Sequence, residues 1–114
     1  MRTDPSIVPG ITEDYFIVLN SYGRYGVAFA ETDINRANYE TTIADLISGQ
    51  HRDPLRVIMF NPETDRAEDV SQTMAQEILR RLDLKGDEVP SELSDFIDRH
   101  AGKDRQLTLR LALA

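Results

Sequence analysis

The chain has 114 residues, with 13 basic against 20 acidic side chains, a formal charge of −7 and no cysteine. A chain of that length suits one core, and the absent thiols exclude disulfides, thiolate metal sites and cysteine nucleophiles. The acidic balance repels phosphate backbones and anionic lipid, so neither nucleic acid nor a membrane is an expected partner; no stretch approaches the roughly 20 apolar residues of a membrane span.

Residues 1–12 hold Pro5, Pro9 and Gly10 with little periodicity, which predicts a flexible N-terminal arm ahead of a single domain over residues 13–114. Residues 15–19 (YFIVL) and 25–30 (YGVAFA) are rich in β-branched and aromatic side chains and read as two strands. Gly23-Arg24 between them fits a type II′ hairpin turn, which wants glycine at its first central position. That turn predicts Tyr22 opposite Tyr25, Asn20 opposite Val27 and Val18 opposite Phe29, with Leu19 opposite Ala28 and Ile17 opposite Ala30 on the other face. Phe16, Val18, Val27 and Phe29 then form a bulky face, while Gly26, Ala28 and Ala30 leave a trough for a helix.

The first helix is expected after Thr32-Asp33, either of which can cap free N–H groups, and before Ser48-Gly49, where glycine suits the left-handed stop. Tyr39, Ile43, Leu46 and Ile47 share its apolar face. Residues 55–60 (LRVIMF), bounded by Pro54 and Pro62, read as an interior strand. A strand, helix and strand in succession predict that the third strand runs parallel to the second and lies beside the first, in order 2-1-3. Both faces of that strand are largely apolar, which calls for cover on each side of the sheet.

Asp69 with Gln72 resembles a capping box, followed by Val70, Met74, Ile78 and Leu82 at helical spacing up to Lys85-Gly86. Pro90 suits a first helical turn, with Leu93, Phe96, Ile97 and His100 on one face before Gly102. Leu107, Leu109, Leu111 and Leu113 alternate with Thr108, Arg110 and Ala112; residues 106–114 are therefore expected as a last strand, although Leu, Arg and Ala are also strong helix formers. The expected fold is α+β, ββαβαα(β), with three helices and a three- or four-stranded mixed sheet.

Residues 53–61 (DPLRVIMFN), with Arg36-Ala37 and Asp45-Leu46 upstream and Asp69-Val70-Ser71 downstream, resemble an uncharacterised family of small bacterial proteins over roughly the middle half of the chain. The resemblance implies a free-standing bacterial domain and brings no assigned activity, catalytic residue or cofactor with it.

The polar residues read first as punctuation. His51 and His100 are the only imidazoles; His51 lies in a loop already shaped by Gly49 and Pro54, and His100 lies where a helix C-terminus favours a cation. Residues 61–69 (NPETDRAED) mimic a calcium loop, but Arg66 replaces its glycine and Gln72 its bidentate glutamate. Residues 24–29 resemble the aromatic strand of an RNA-recognition motif, and Gly23 to Gly26 a GxxG loop, but the order of elements and the charge disagree. Ser48 has no base and acid partner beyond nearby His51. Arg80, Arg81 and Lys85 form the best basic cluster, where a helix end wants cations.

No catalytic or metal-ligating residue and no cofactor is implied. The expected role is a cytoplasmic protein-interaction or regulatory module that homodimerises, with Tyr22, Tyr25 and Phe29 at the interface, or that meets some other protein partner. The alternative is a small enzyme or ligand-binding domain whose polar site at strand ends draws on Glu31, Asp33, His51 and Asn61.

Overall fold

Burial alternates strictly along the first strand, β1 (Tyr15–Ser21): Phe16, Val18 and Asn20 are buried and the residues between them half-buried. The computed structural model describes the backbone of residues 14–113 and the side chains of residues 14–102; the expected arm, residues 1–12, lies outside them. β2 (Val27–Phe29), α1 (Tyr39–Ile47), β3 (Pro54–Asn61), β4 (Arg66–Asp69), α2 (Ser71–Lys85) and α3 (Ser91–Leu113) follow.

The fold is α+β, with three α-helices and a four-stranded sheet in order β2-β1-β3-β4. The predicted 2-1-3 order stands, and β3 runs parallel to β2 across the intervening β1. Every neighbouring pair is antiparallel, so the sheet is antiparallel where a mixed one was expected. The fourth strand is β4, in the acidic segment; the leucine-rich tail is helical. An edge strand needs a neighbour in register, whereas Leu, Arg and Ala satisfy their backbone locally in a helix. Helix α3 passes Gly102 by bending at Ala101, whose φ of −134° is not helical.

The hairpin differs from the type II′ expectation by one residue. Tyr22 N–H donates to the Gly26 carbonyl at 2.7 Å, with a tight helical turn over Gly23–Tyr25 between them. Gly26, at φ +94°, takes up the extra residue. Leu19 therefore stands opposite Phe29, Asn20 opposite Ala28 and Ser21 opposite Val27. Because side chains alternate across a strand, this slip separates residues that the shorter turn would have joined. Val18 is 2% exposed, while Phe29 is 54% exposed on the other face.

All three helices lie on the Phe16/Val18 face. Their buried side chains, Ile43 and Leu46 of α1, Met74, Ile78 and Leu82 of α2, and Leu93, Phe96 and Ile97 of α3, form one core with Phe16, Val18 and Val57. The trough foreseen for α1 does not exist, since the slip sets Ala28 beside Asn20 and away from Ile17 and Leu19. Each interior helix position here is worth several kcal/mol; truncating Phe96 to alanine costs about 3–5 kcal/mol.

Local chemistry explains the helix ends. Asn38, not Thr32 or Asp33, caps α1: its Oδ1 accepts from Thr41 N–H at 2.8 Å, after a short tight turn over Ile34–Arg36. Gly49 and Gly86, at φ +83° and +74°, stop α1 and α2 as expected. At the start of α2, Asp69 Oδ1 accepts from the N–H of Ser71 at 2.9 Å and from its hydroxyl at 2.6 Å. The same hydroxyl accepts from Val57 N–H at 2.8 Å, while Val70 N–H donates to the Val57 carbonyl at 2.9 Å. Ser71 thus continues the β3 ladder where β4 ends. His100 Nε2–H donates to the Leu55 carbonyl at 2.7 Å and lies against the Phe96 ring, tying α3 to β3.

Candidate functional site

Two surfaces stand out, one apolar and one polar, on opposite faces of the sheet. The apolar one follows directly from register. Ile17 pairs with Ile58, Tyr15 with Phe60 and Leu19 with Phe29, while Val27 extends the row on β2 and Ala67 faces Phe60 on β4. None of these side chains belongs to the core cluster. An antiparallel sheet with helices on one side ordinarily turns a polar face outward; here the outer face is apolar, closed at one corner by Arg56 Nη1 bonding Asp69 Oδ2 at 2.6 Å. Of the three side chains expected at an interface, Phe29 belongs to this face. Tyr25 sits at the hairpin tip under the Arg24 guanidinium, 5.2 Å from its ring centre, and Tyr22 turns to the other surface.

That second surface is a cleft of about 530 Å³ on the helix side, where β1 ends and the loop into β3 begins. Its walls come from three places: Asn20 and Tyr22 at the end of β1, residues 30–33 with Arg36 after β2, and Asp45 with residues 50–52 after α1. The backbone explains the convergence. Beyond β2, Ala30 N–H donates to the Val18 carbonyl and Phe16 N–H to the Ala37 carbonyl, at 2.8 and 2.7 Å, so the chain runs along the edge of β1. Ser21 N–H donates to the Asp53 carbonyl at 2.9 Å, holding the loop before β3 against the same strand end.

Glu31, Asp33 and His51 therefore line one cleft. Asn61 is not among its lining residues. It organises the β3–β4 turn, accepting from Glu63 and Thr64 N–H at 2.9 and 3.1 Å and donating to Asp14 Oδ1 at 2.8 Å. Arg36 and Asp45, joined at 2.7 Å, and Arg52 complete the charged rim. No hydrogen bond or ion pair engages the side chains of Glu31, Asp33 or Arg52 among the described residues.

At the cleft's buried wall, Asn20 Nδ2 donates to His51 Nδ1 at 3.4 Å. Asn20 is 3% exposed, and its Oδ1 has no hydrogen-bond partner among the described residues. Burial pushes the His51 imidazole below its ordinary 6.5, against the opposing pull of the Asp45 carboxylate. A neutral ring with Nδ1 as acceptor suits the Asn20 donor. The sequence does not single out Asn20, because the shorter turn makes it a member of the bulky face. The signal that marks it is an amide closing the apolar alternation Phe16-Val18.

The arrangement offers hydrogen-bond acceptors and charge but no paired acid and base held in bonding geometry. No group of three or more His, Cys, Asp or Glu among the described residues is placed to hold a metal ion, and no described helix is long and apolar enough to cross a membrane. No protein-family model, curated protein or solved structure matches the chain.

Proposed function

We propose that this chain is a cytoplasmic protein-association module that forms a homodimer through the outer face of its sheet. What supports the reading is the row Ile17, Leu19, Phe29, Ile58 and Phe60, an apolar surface outside the core. A two-fold contact puts the same patch on both partners, so one self-complementary face suffices. Two such sheets stack about 10 Å apart with interleaved side chains. The polar rim of Arg56 and Asp69 then sets the edge of the contact.

Light scattering coupled to size-exclusion chromatography, over a wide range of concentrations, tests it. The mass is expected to rise from 12.9 kDa toward twice that value as concentration increases. Phe29→Lys, at a site outside the core, is expected to keep its circular dichroism and remain at the lower mass. A wild-type chain that stays monomeric throughout, or a Phe29→Lys variant that associates as wild type does, removes the proposal.

A further inference from the structure

The two edges of the sheet are defended unequally. β4 carries Arg66, Glu68 and Asp69, and charge along an edge strand discourages pairing with another strand. β2 carries Val27, Ala28 and Phe29, with no charge and no proline, and all three residues are exposed. The ladder to β1 fixes which backbone groups remain open. Ala30 N–H donates to the Val18 carbonyl and Tyr22 N–H to the Gly26 carbonyl, so Ala28, between them in register, turns its N–H and C=O groups toward β1. By the alternation of an antiparallel pair, Val27 and Phe29 turn theirs outward. The same rule holds on β1, where Ser21 N–H, opposite Val27, donates away from β2 to the Asp53 carbonyl.

We infer that this edge pairs with the β2 edge of a second copy of the chain, antiparallel and centred on Ala28, as a contact separate from the stacking face. The register follows from the open groups. Centred there, Val27 N–H donates to the partner's Phe29 carbonyl, the Val27 carbonyl accepts from the partner's Phe29 N–H, and every pairing stays within β2. The Val27 side chain then lies beside the partner's Phe29 on one face, and the two-fold axis repeats the contact. Charge favours the same arrangement. Pairing carries the hairpin tip, with the Arg24 guanidinium, toward the partner's Glu31 and the partner's Asp33, carboxylates that no described group engages. The axis stands perpendicular to the sheet, whereas stacking places its axis within the sheet plane, so one chain can hold both contacts. With three residues to pair, the edge is the weaker contact and joins chains at higher concentration than stacking does.

Cross-linking through one introduced thiol tests it, since the chain has no cysteine. In this register Ala28 faces the partner's Ala28 as a non-hydrogen-bonded pair, with about 4.5 Å between Cα atoms, within the reach of a disulfide. Ala28 projects to the helix side with Asn20, where stacking of the outer faces cannot bring two copies together. Under diamide, Ala28→Cys is expected to give the disulfide-linked dimer at least about tenfold faster folded than unfolded in urea. Adding Val27→Pro, which removes an outward N–H and no bond to β1, is expected to abolish that advantage and leave the circular dichroism unchanged. Arg24→Glu is expected to slow the reaction, and Arg24→Glu with Glu31→Arg to restore it, which reads the pairing without a proline. Three results overturn the inference: a folded rate no faster than the unfolded one, a rate undiminished by Val27→Pro in a folded chain, or charge variants that leave the rate unchanged. Each holds whatever light scattering finds, so this contact and the stacking face fail separately.

Discussion

Leu19 of β1 and Phe29 of β2 stand directly opposite each other, and that one pairing places both on the sheet face away from the helical core. It exists because the hairpin holds one residue more than a two-residue turn, and Gly26 absorbs it. Gly26 has φ +94° and ψ −158°, a conformation that only glycine adopts without strain.

Gly26→Ala is therefore expected to destabilise the fold by about 1–3 kcal/mol. A Cβ at Gly26 meets nothing within 4 Å, so the cost is conformational and not steric. Gly23, at φ +64°, lies where asparagine is tolerated, and Gly23→Asn is expected to cost less. Urea denaturation of the two variants checks this. The opposite order of stabilities supports the two-residue turn instead.

Ser71 stands between β3 and α2, 2% exposed, with its hydroxyl accepting from Val57 N–H and donating to Asp69. Ser71→Ala leaves a buried backbone donor without its partner, with an expected cost of about 1–3 kcal/mol. Amide hydrogen exchange gives the specific signature: Val57 N–H should lose protection beyond the global loss of stability. An unchanged Val57 rate in the variant contradicts the assigned bond.

His100 anchors α3 through its bond to the Leu55 carbonyl and its contact with Phe96, whose ring centre lies 4.8 Å away. His100→Ala removes both and is expected to destabilise by about 1–3 kcal/mol. His100→Gln, which retains a donor, is expected to recover part of that. Equal stability of both variants and wild type in urea shows that the helix does not depend on this bond.

Stability is expected to fall with acid in two steps. His51 binds its proton more weakly folded than unfolded, so the unfolded chain takes up a proton first and stability drops as pH falls through 6.5. Glu77 behaves as a depressed carboxylate. Hydrogen bonds from Arg80 and Arg81 bring it from 4.5 down to about 2, so its stabilisation is present above 4.5 and is lost as pH falls toward 2. Melting temperatures across pH check both steps: His51→Gln should flatten the upper one and Glu77→Gln the lower. Because Arg80 is exposed and Glu77 half-buried, added salt should shrink the lower step in part.

The candidate cleft is partly legible in the sequence. Glu31, Asp33 and His51 group together because each lies just beyond a strand or helix end, and a sheet gathers such ends along one border. Asn61 closes a strand, but at the far end of β3, where the Asp14 and Glu63 contacts occupy it. Asn20, Arg36 and Arg52 joined the site only through contacts distant in sequence, such as the Asn20–His51 bond.

What the sequence by itself determined is everything that neighbouring residues decide. The apolar run of β3, the helical spacing of Met74, Ile78 and Leu82, the stops at Gly49 and Gly86, and the strand order 2-1-3 all rest on local propensity and short connections. Tertiary structure alone decided the hairpin slip, the strand at Arg66–Asp69 and the helical course to Leu113. For the hairpin and β4 the neighbouring strand sets the outcome, whereas the tail, with no strand to pair with it, satisfies its backbone within a helix. A shift of one residue changes no propensity, yet it exchanges the two faces of β2, and with them the side of the sheet on which Phe29 lies.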